Sequence, residues 1–557
     1  MNNISNVFYK ISVGLLFLIT QIVIVTSIFF LLGISINILN TIIPIILLVS
    51  YIFYTEDTNK KAILILAGIL IIISICIVYS GQVYDNTWDG SAYHKQAVGL
   101  LKEGWNPIFQ SSMDYNSISS SISVGGENPL LWAETYPKAT WYFASTIYYI
   151  TNNIEAGKCY TLLFSFIMFG ILFEYLMKLH YKCIFSVLIS SLASFNPIVC
   201  AQFQSYYLDG LAICVLGLIM LISVKIVNGT KENIKENYFI LFSLIIWGCN
   251  LKFSILLFTI TYIGVLYIYT CVLERKINIK RFLILLGMGG FSVLVVGFAP
   301  YMTNLIRYND IFYGFSNMIG ATNWGEEIGV SGLNNIERFW MSLFGRMSHG
   351  NYHSLQEILK IPFTFNKEEL IYYSIVDTRI GGFGIFFSGL FLISLIIIIL
   401  YIVKSIKIKD ISNANFLIGI FFIITIIEVM FLPATHTARY VGHIFFFVLW
   451  SFTIVYHENK KKFISYALIL ISILNILPWC QVSYRRLIES NATTAILKEL
   501  GKQSEEDNKI FSIAFYAYDF NGIQYNLKDF NIRYKYIPLE EIGDNYKTTY
   551  YNWIYYK

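Results

Sequence analysis

Charge is scarce in this chain. Of its 557 residues only 13% are Asp, Glu, Lys or Arg, against roughly 25% in an average globular protein. Hydrophobic residues make up 56% and come in long runs from end to end. That excludes a soluble enzyme on a single anchor and leaves a polytopic membrane protein. The net charge of +5 is too small to argue for nucleic acid as a partner, so where the cations sit matters more than their sum. Phosphate loops are missing as well. No G-x-x-x-x-G-K-S/T or G-x-G-x-x-G opens a helix, so chemistry on a cytosolic nucleotide has no support. There is no nucleophile elbow. The eight cysteines mostly lie inside apolar runs, without metal-ligand spacing or a visible disulfide framework. They read as small buried hydrophobes. No internal repeat is evident, which counts against a secondary transporter. No small-residue cleavage site follows the first apolar run, which reads as a retained span. Abundant Ile, Asn, Lys and Tyr point to an AT-rich, bacterial genome.

A helix needs about 20 apolar residues to cross a bilayer. By that measure the chain carries about thirteen spans. They are Ile11–Leu32, Leu39–Tyr54, Ala62–Ser80, Tyr160–Met177, Ile184–Cys200, Leu208–Val227 and Tyr238–Cys249. After these come Ser254–Cys271, Phe282–Thr303, Ile380–Val403, Phe416–Leu432, Val441–Tyr456 and Phe463–Pro478. Gly248, Asn250 and Lys252 break the run 238–271 into a tight hairpin. Lysines and arginines fall on alternate short loops, which the positive-inside rule makes cytoplasmic. The expected protein is therefore a cell-membrane, multi-pass, all-α chain with its N-terminus inside and its C-terminus outside. Three large elements face the exterior. The first is a loop at 81–159 and the second a Gly-, Asn- and Ser-rich loop at 304–379, a possible lid. The third is a C-terminal segment at 481–557, expected as a small α/β module with a helix at Thr494–Leu500 and a strand at Ile510–Tyr516. Residues 1–480 form the membrane domain. In the first loop, Ala92–Gly104 has amphipathic helical spacing, fits a helix lying on the membrane and is closed by Gly104. A further aromatic run, 141–150, follows Pro137 and is expected to dip into the interface.

The first loop opens with Tyr84-Asp85-Asn86-Thr87-Trp88-Asp89-Gly90-Ser91-Ala92-Tyr93-His94. Ionisable groups at a helix mouth are costly unless they face a polar cavity, so they mark a functional site by default. The competing reading is a polar loop with an interfacial Trp and Tyr. Asp85 and Asp89 would share a face if the segment is helical. Exterior turns otherwise hold few cations: Lys252, and Arg439 in Thr435-His436-Thr437-Ala438-Arg439-Tyr440. They either snorkel to headgroups or bind an anion such as a phosphate. Asp209, in Tyr207-Leu208-Asp209-Gly210, is a site carboxylate or a helix N-cap. Asp377 and Arg379, before Gly381 and Gly382, form either a ligand-approaching turn or a local ion pair. His349, His353 and Glu357 would line one face of a helix, as metal ligands do, but lack the signature of a zinc enzyme.

In their order and common side, these motifs resemble the GT-C superfamily of membrane glycosyltransferases. The closer likeness is to the dolichyl-phosphate-mannose and aminoarabinose transferase-like branch. It is carried by Trp88–His94, Gly104-Trp105-Asn106-Pro107, Tyr136-Pro137-Lys138, Tyr207–Gly210, Asn250-Leu251-Lys252-Phe253 and Ala438-Arg439-Tyr440. The resemblance implies a polyprenyl-phosphate-linked sugar as donor and a glycan, lipid or protein as acceptor. Transfer then takes place at the outer face, among membrane lipids. It implies a first-loop acid as base, Asp89 by position with Asp85 as the alternative, and a second acid from Asp85 or Asp209, because this chain has Gly90 where mannosyltransferase relatives carry Glu. Trp88, Tyr93, His94, Tyr136, Lys138, Lys252, Asp377, Arg379, His436, Arg439 and Tyr440 are the expected substrate-binding residues. No cofactor is certain, and a divalent metal is possible. The alternatives are a flippase or transporter of lipid-linked saccharide, which should carry deeper ionisable residues such as Glu428, or a polysaccharide ligase or polymerase.

Overall fold

The computed structural model describes residues 2–115, 129–229, 234–314, 332–349, 355–408, 414–432, 437–458, 461–516, 520–543, 545–549 and 554–557. It is overwhelmingly helical. Among the described residues, eight helices are long and apolar enough to cross a membrane, and four shorter apolar helices accompany them. The chain is a multi-pass membrane protein with a small C-terminal sheet. Asn2–Leu31 lies inside the bundle, packed on Tyr160–Lys178, Leu39–Thr55, Asn59–Gln82 and Ala139–Thr151. Asp209–Asn228 is likewise sequestered among neighbours. Peripheral helices instead present bare apolar side chains, such as Ile63, Leu70 and Ile71 on Asn59–Gln82. Lipid tails solvate such a face as well as a neighbouring helix does.

The expected hairpin is present as Ile234–Leu251 and Phe253–Glu274. The chain reverses at Asn250 and at Lys252, which is extended at φ −159°, ψ 144°. Gly248 lets the two arms close: a Cβ there would stand 2.3 Å from Thr259 Oγ1.

Several expected boundaries fall elsewhere. The run 184–200 is not one helix. Cys183–Ser194 ends, and Pro197–Gln202 begins afresh, because Asn196 caps Val199 N and Pro197 fixes the new first turn. The span expected from Ile380 starts at Phe387, because Gly381 and Gly384 adopt φ +58° and +102°, which no helix continues. Ala92–Gly104 does not lie on the membrane. Gly90–His94 forms a π-turn, Lys95–Lys102 an α-helix, and Lys95 to Leu101 are buried. Their polar groups are covered by protein on the side away from the bundle. Gly104 does close this helix, at φ +109°. The aromatic run forms Ala139–Thr151, buried through Tyr148 by the first helix and by Lys95–Lys102 rather than dipping into an interface.

The last span does not stop at Pro478. Lys462–Glu506 is one 45-residue helix running through Pro478 and residue 481 and including Thr494–Leu500. The segment before Phe387 buttresses it there: the Tyr373 ring lies 4.4 Å from that of Trp479, and its hydroxyl donates to Asn475 O at 3.1 Å. The helix carries a sheet of order β2-β1-β4-β3, where β1 is Phe511–Phe515, β2 Tyr534–Tyr536, β3 Lys547–Thr548 and β4 Ile554–Tyr556. β1 and β2 are parallel, joined through the helix Ile523–Asp529, and β4 runs antiparallel to β1. Tyr84 of the first loop enters this module's core beside Leu497, Phe511 and Ile523.

Candidate active site

Asp85 ends the extended stretch after Asn59–Gln82. Its Oδ1 accepts from Thr87 N at 2.9 Å, an Asx turn, and Thr87 Oγ1 accepts from Gly90 N at 3.2 Å. Those two bonds start a helix at Trp88. Asp85 therefore precedes the helix and shares no face with Asp89. Its Oδ2 accepts from Tyr206 N at 2.7 Å, and the residue is 1% exposed. Burial pushes its carboxyl above the usual range, with Lys95 opposing. Gly90 follows from this packing: a Cβ there would stand 1.9 Å from Asp85 Oδ2. A glutamate at position 90 has no room while Asp85 keeps its place.

Asp89 points the other way, into a cavity of about 720 Å³. The walls come from the first loop (Trp88, Asp89, Tyr93, Trp132, Tyr136), the turns that lead into two inner helices (Tyr207, Lys252) and the segment Ser374–Arg379. Arg439, Tyr440 and Arg486 close it. Four cations and two carboxylates line this space, an excess of positive charge suited to an anion. Arg439 is its hub. Its Nη1 lies 3.3 Å from Asp209 Oδ2 and 3.9 Å from Asp89 Oδ2. Its Nε lies 2.9 Å from Asp377 Oδ1, an ion contact without hydrogen-bond alignment. The guanidinium also rests over the rings of Tyr207 (4.5 Å) and Tyr440 (4.9 Å). Lys252 Nζ donates to Asp209 Oδ1 at 3.0 Å and sits 3.9 Å over the Tyr440 ring. Burial works against the Lys252 charge, but Asp209 and Tyr440 together outweigh it and the net shift is upward. Asp209 thus spends its oxygens on side chains, with Gln202 Nε2 at 3.1 Å, and makes no cap to its own helix. Neither cation snorkels. The Asp89 side chain remains 21% exposed; burial lifts its pKa to about 6, with Arg439 holding it down. That is a useful value for a base working near neutrality.

The same cavity has an aromatic wall. Trp132 lies 5.3 Å from Trp88, 5.2 Å from Tyr93 and 6.3 Å from Tyr136, the last pair stacked. Flat apolar faces with polar tips orient a ligand with apolar faces and polar edges.

The cavity thus gathers Trp88, Asp89, Tyr93, Tyr136, Lys252, Asp377, Arg379, Arg439 and Tyr440. His94 and Lys138 do not line it. The His94 Nδ1 accepts from Trp141 Nε1 at 2.7 Å, and burial lowers its pKa to about 3, so it is a neutral core residue. Lys138 Nζ donates to Glu134 O and Tyr136 O at 2.7 and 2.8 Å, with burial driving its pKa far down; it fastens the chain after Pro129–Thr135. His436 and His353 lie outside the described residues, as do 315–331 of the second loop, where a lid was expected. His349 Nδ1 is 2.7 Å from Asp377 O, while the helix holding Glu357 begins only at Leu355, so the two share no helix face. Among the described residues no group of three or more His, Cys, Asp or Glu is arranged to hold a metal. Asp89, Asp209 and Asp377 surround the Arg439 guanidinium.

Arg486 was missed. It donates to Ser374 O at 2.7 Å and reaches the cavity because the last helix continues beyond Pro478. Its signal was legible: Arg485-Arg486 follows the last apolar run on the side expected to be poor in cations. Trp132, in the short apolar stretch Pro129-Leu130-Leu131-Trp132-Ala133, gave no comparable signal. The chain matches no protein-family model and no curated protein.

Proposed function

We propose that this cavity is the active site of an inverting glycosyltransferase of GT-C type. It moves a sugar from a polyprenyl phosphate to an acceptor hydroxyl on a glycan, lipid or protein at the outer face of a bacterial cell membrane. One observation carries the reading: a carboxylate poised near pH 6, two cations on a shared aspartate and an aromatic wall converge on one space. About thirteen spans with the N-terminus inside fit it, since the alternation of basic loops then puts the cavity outside.

The chemistry follows from the charges. Asp89 takes the proton of the acceptor hydroxyl as its oxygen attacks the anomeric carbon. The bond from that carbon to the phosphate oxygen breaks, and the lipid phosphate leaves with the electron pair. Lys252 and Arg439 meet the charge that develops there, in a partly dehydrated site where it counts most. Direct displacement inverts the anomeric centre. Glu428, the deeper acid a flippase would use, is not among the cavity residues; its Oε1 accepts from Thr261 Oγ1 at 3.2 Å.

The test is to incubate the purified protein with a panel of polyprenyl-phosphate sugars and follow release and transfer by mass spectrometry. Transfer from at least one donor, with inversion, is the expected result. Release from none overturns the reading in favour of transport.

A further inference from the structure

The C-terminal module reaches the back of the turn that carries Asp89. Its helix Ile523–Asp529 docks on the helix Lys95–Lys102. Gly522 N donates to Ser91 O at 2.7 Å, and a Cβ on Gly522 would stand 2.5 Å from that carbonyl. On the next turn the Tyr525 ring fills the space over Gly99, where a Cβ would lie 2.1 Å from the ring.

Between these contacts Asn526 enters a sealed ionic cluster. Its Oδ1 accepts from Lys95 Nζ at 3.1 Å, and its Nδ2 donates to Glu155 Oε1 at 2.9 Å. Lys95 and Glu155 pair at 2.7 Å with side chains 0% and 1% exposed. The same two residues hold the backbone of Asp85: Lys95 Nζ donates to Asp85 O at 2.8 Å, and Asp85 N donates to Glu155 Oε2 at 3.0 Å. The Asp85 side chain then fixes Thr87 N on one side and Tyr206 N on the other. Thr87 leads to Asp89, and Tyr206 leads to Asp209, the partner of Lys252 and Arg439. One network therefore sets the base relative to the cations. A buried ion pair holds its geometry only when its remaining donors and acceptors are met, and Asn526 meets one on each partner.

We propose that Asn526 is a positioning residue, through which the C-terminal module fixes the Asp85–Asp89 turn against the cationic wall. In naming Asp89 as the group positioned, this rests on the glycosyltransferase reading.

The test uses the full-length chain with Asn526→Ala. Hydrogen exchange should rise about tenfold across residues 85–95 while the membrane helices keep wild-type protection, because the buried pair loses a partner on each side. With an active donor, kcat should fall about tenfold or more with donor KM little changed, since a misplaced base costs rate rather than phosphate binding. Should the alanine variant fail to fold, Asn526→Gln keeps both amide groups but displaces them, and should give the same pattern at smaller amplitude. Unchanged exchange at 85–95 overturns the proposal. So does loosening with kcat intact, or a loss in which KM and global protection move together. If the wild type transfers no sugar, the function reading fails, and exchange alone decides whether Asn526 holds the turn.

Discussion

Asp85 and Asp89 stand four residues apart on one turn, in opposite surroundings. Asp85 is sealed, with a backbone N–H on each oxygen and its own N–H and carbonyl tied to Glu155 and Lys95. Asp89 is open to the cavity, 3.9 Å from the guanidinium that also faces Asp209 and Asp377. A carboxylate that is 1% exposed, with a scaffold N–H on each oxygen, is not presented to a substrate proton. One with a single long ion contact is. The difference separates a sealed scaffold acid from a cavity-facing one within one motif, where composition and spacing treat both acids alike.

Asparagine at each position is the sharpest way to break that comparison. Asp89→Asn should cut transfer by about 10²–10⁴-fold, leaving thermal unfolding close to wild type. In the wild type the acid limb of the rate should fall near pH 6, because the basic form is lost as pH drops through that value. A folded Asp89→Asn protein at full rate removes Asp89 as base.

Lys252→Ala comes next. A hydrogen bond to a charged group contributes about 1.5–3 kcal/mol, so donor binding should weaken roughly tenfold to a hundredfold. Donor binding unchanged in this variant rejects the phosphate role. Asp85→Asn should act on stability first, with the rate falling only through the loosened turn. The amide NH₂ must confront either Thr87 N or Tyr206 N, leaving a buried donor unmet at a cost of about 1–3 kcal/mol. Calorimetry and kinetics together would sink the distinction if this variant stayed stable and lost only rate.

The cavity side was legible because its residues break sequence rules: acids at a helix mouth and cations where loops should lack them. Lys252, Arg439 and Asp209 were found on those grounds. The back of the turn was not legible. Lys95 and Gln96 look like the wet face of an amphipathic helix, and nothing local reveals that residues 522–529 cover it. His94 and Lys138 misled for the same reason, since type and neighbourhood say nothing of burial. The continuity through Pro478 was hidden because proline's local penalty is outweighed by tertiary support from Tyr373 and its neighbours.

The smallest effect concerns the seam between module and bundle, and its sign differs from that at Asp89. Asp529 accepts from Tyr148 OH at 2.6 Å and from Ile154 N at 2.7 Å. Burial raises its pKa to about 7, with Tyr148 opposing. In the undocked chain the carboxyl titrates at about 3.9. Between those values the docked state binds the proton more strongly, so the docked state is favoured at low pH. Stability from this group is fully present below about pH 4 and is lost as pH rises through about 7. Docking should therefore weaken by roughly tenfold across that window after allowance for solvent screening, read as protease sensitivity of residues 507–557. Transfer should rise with pH through about 6 while docking should loosen toward 7, so on the proposed reading the two sides of one loop pull the pH optimum from opposite directions. Asp529→Asn should flatten the docking profile and leave the acid limb of Asp89 where it was. An acid limb that moved with Asp529 would mean that the two sides titrate as one unit.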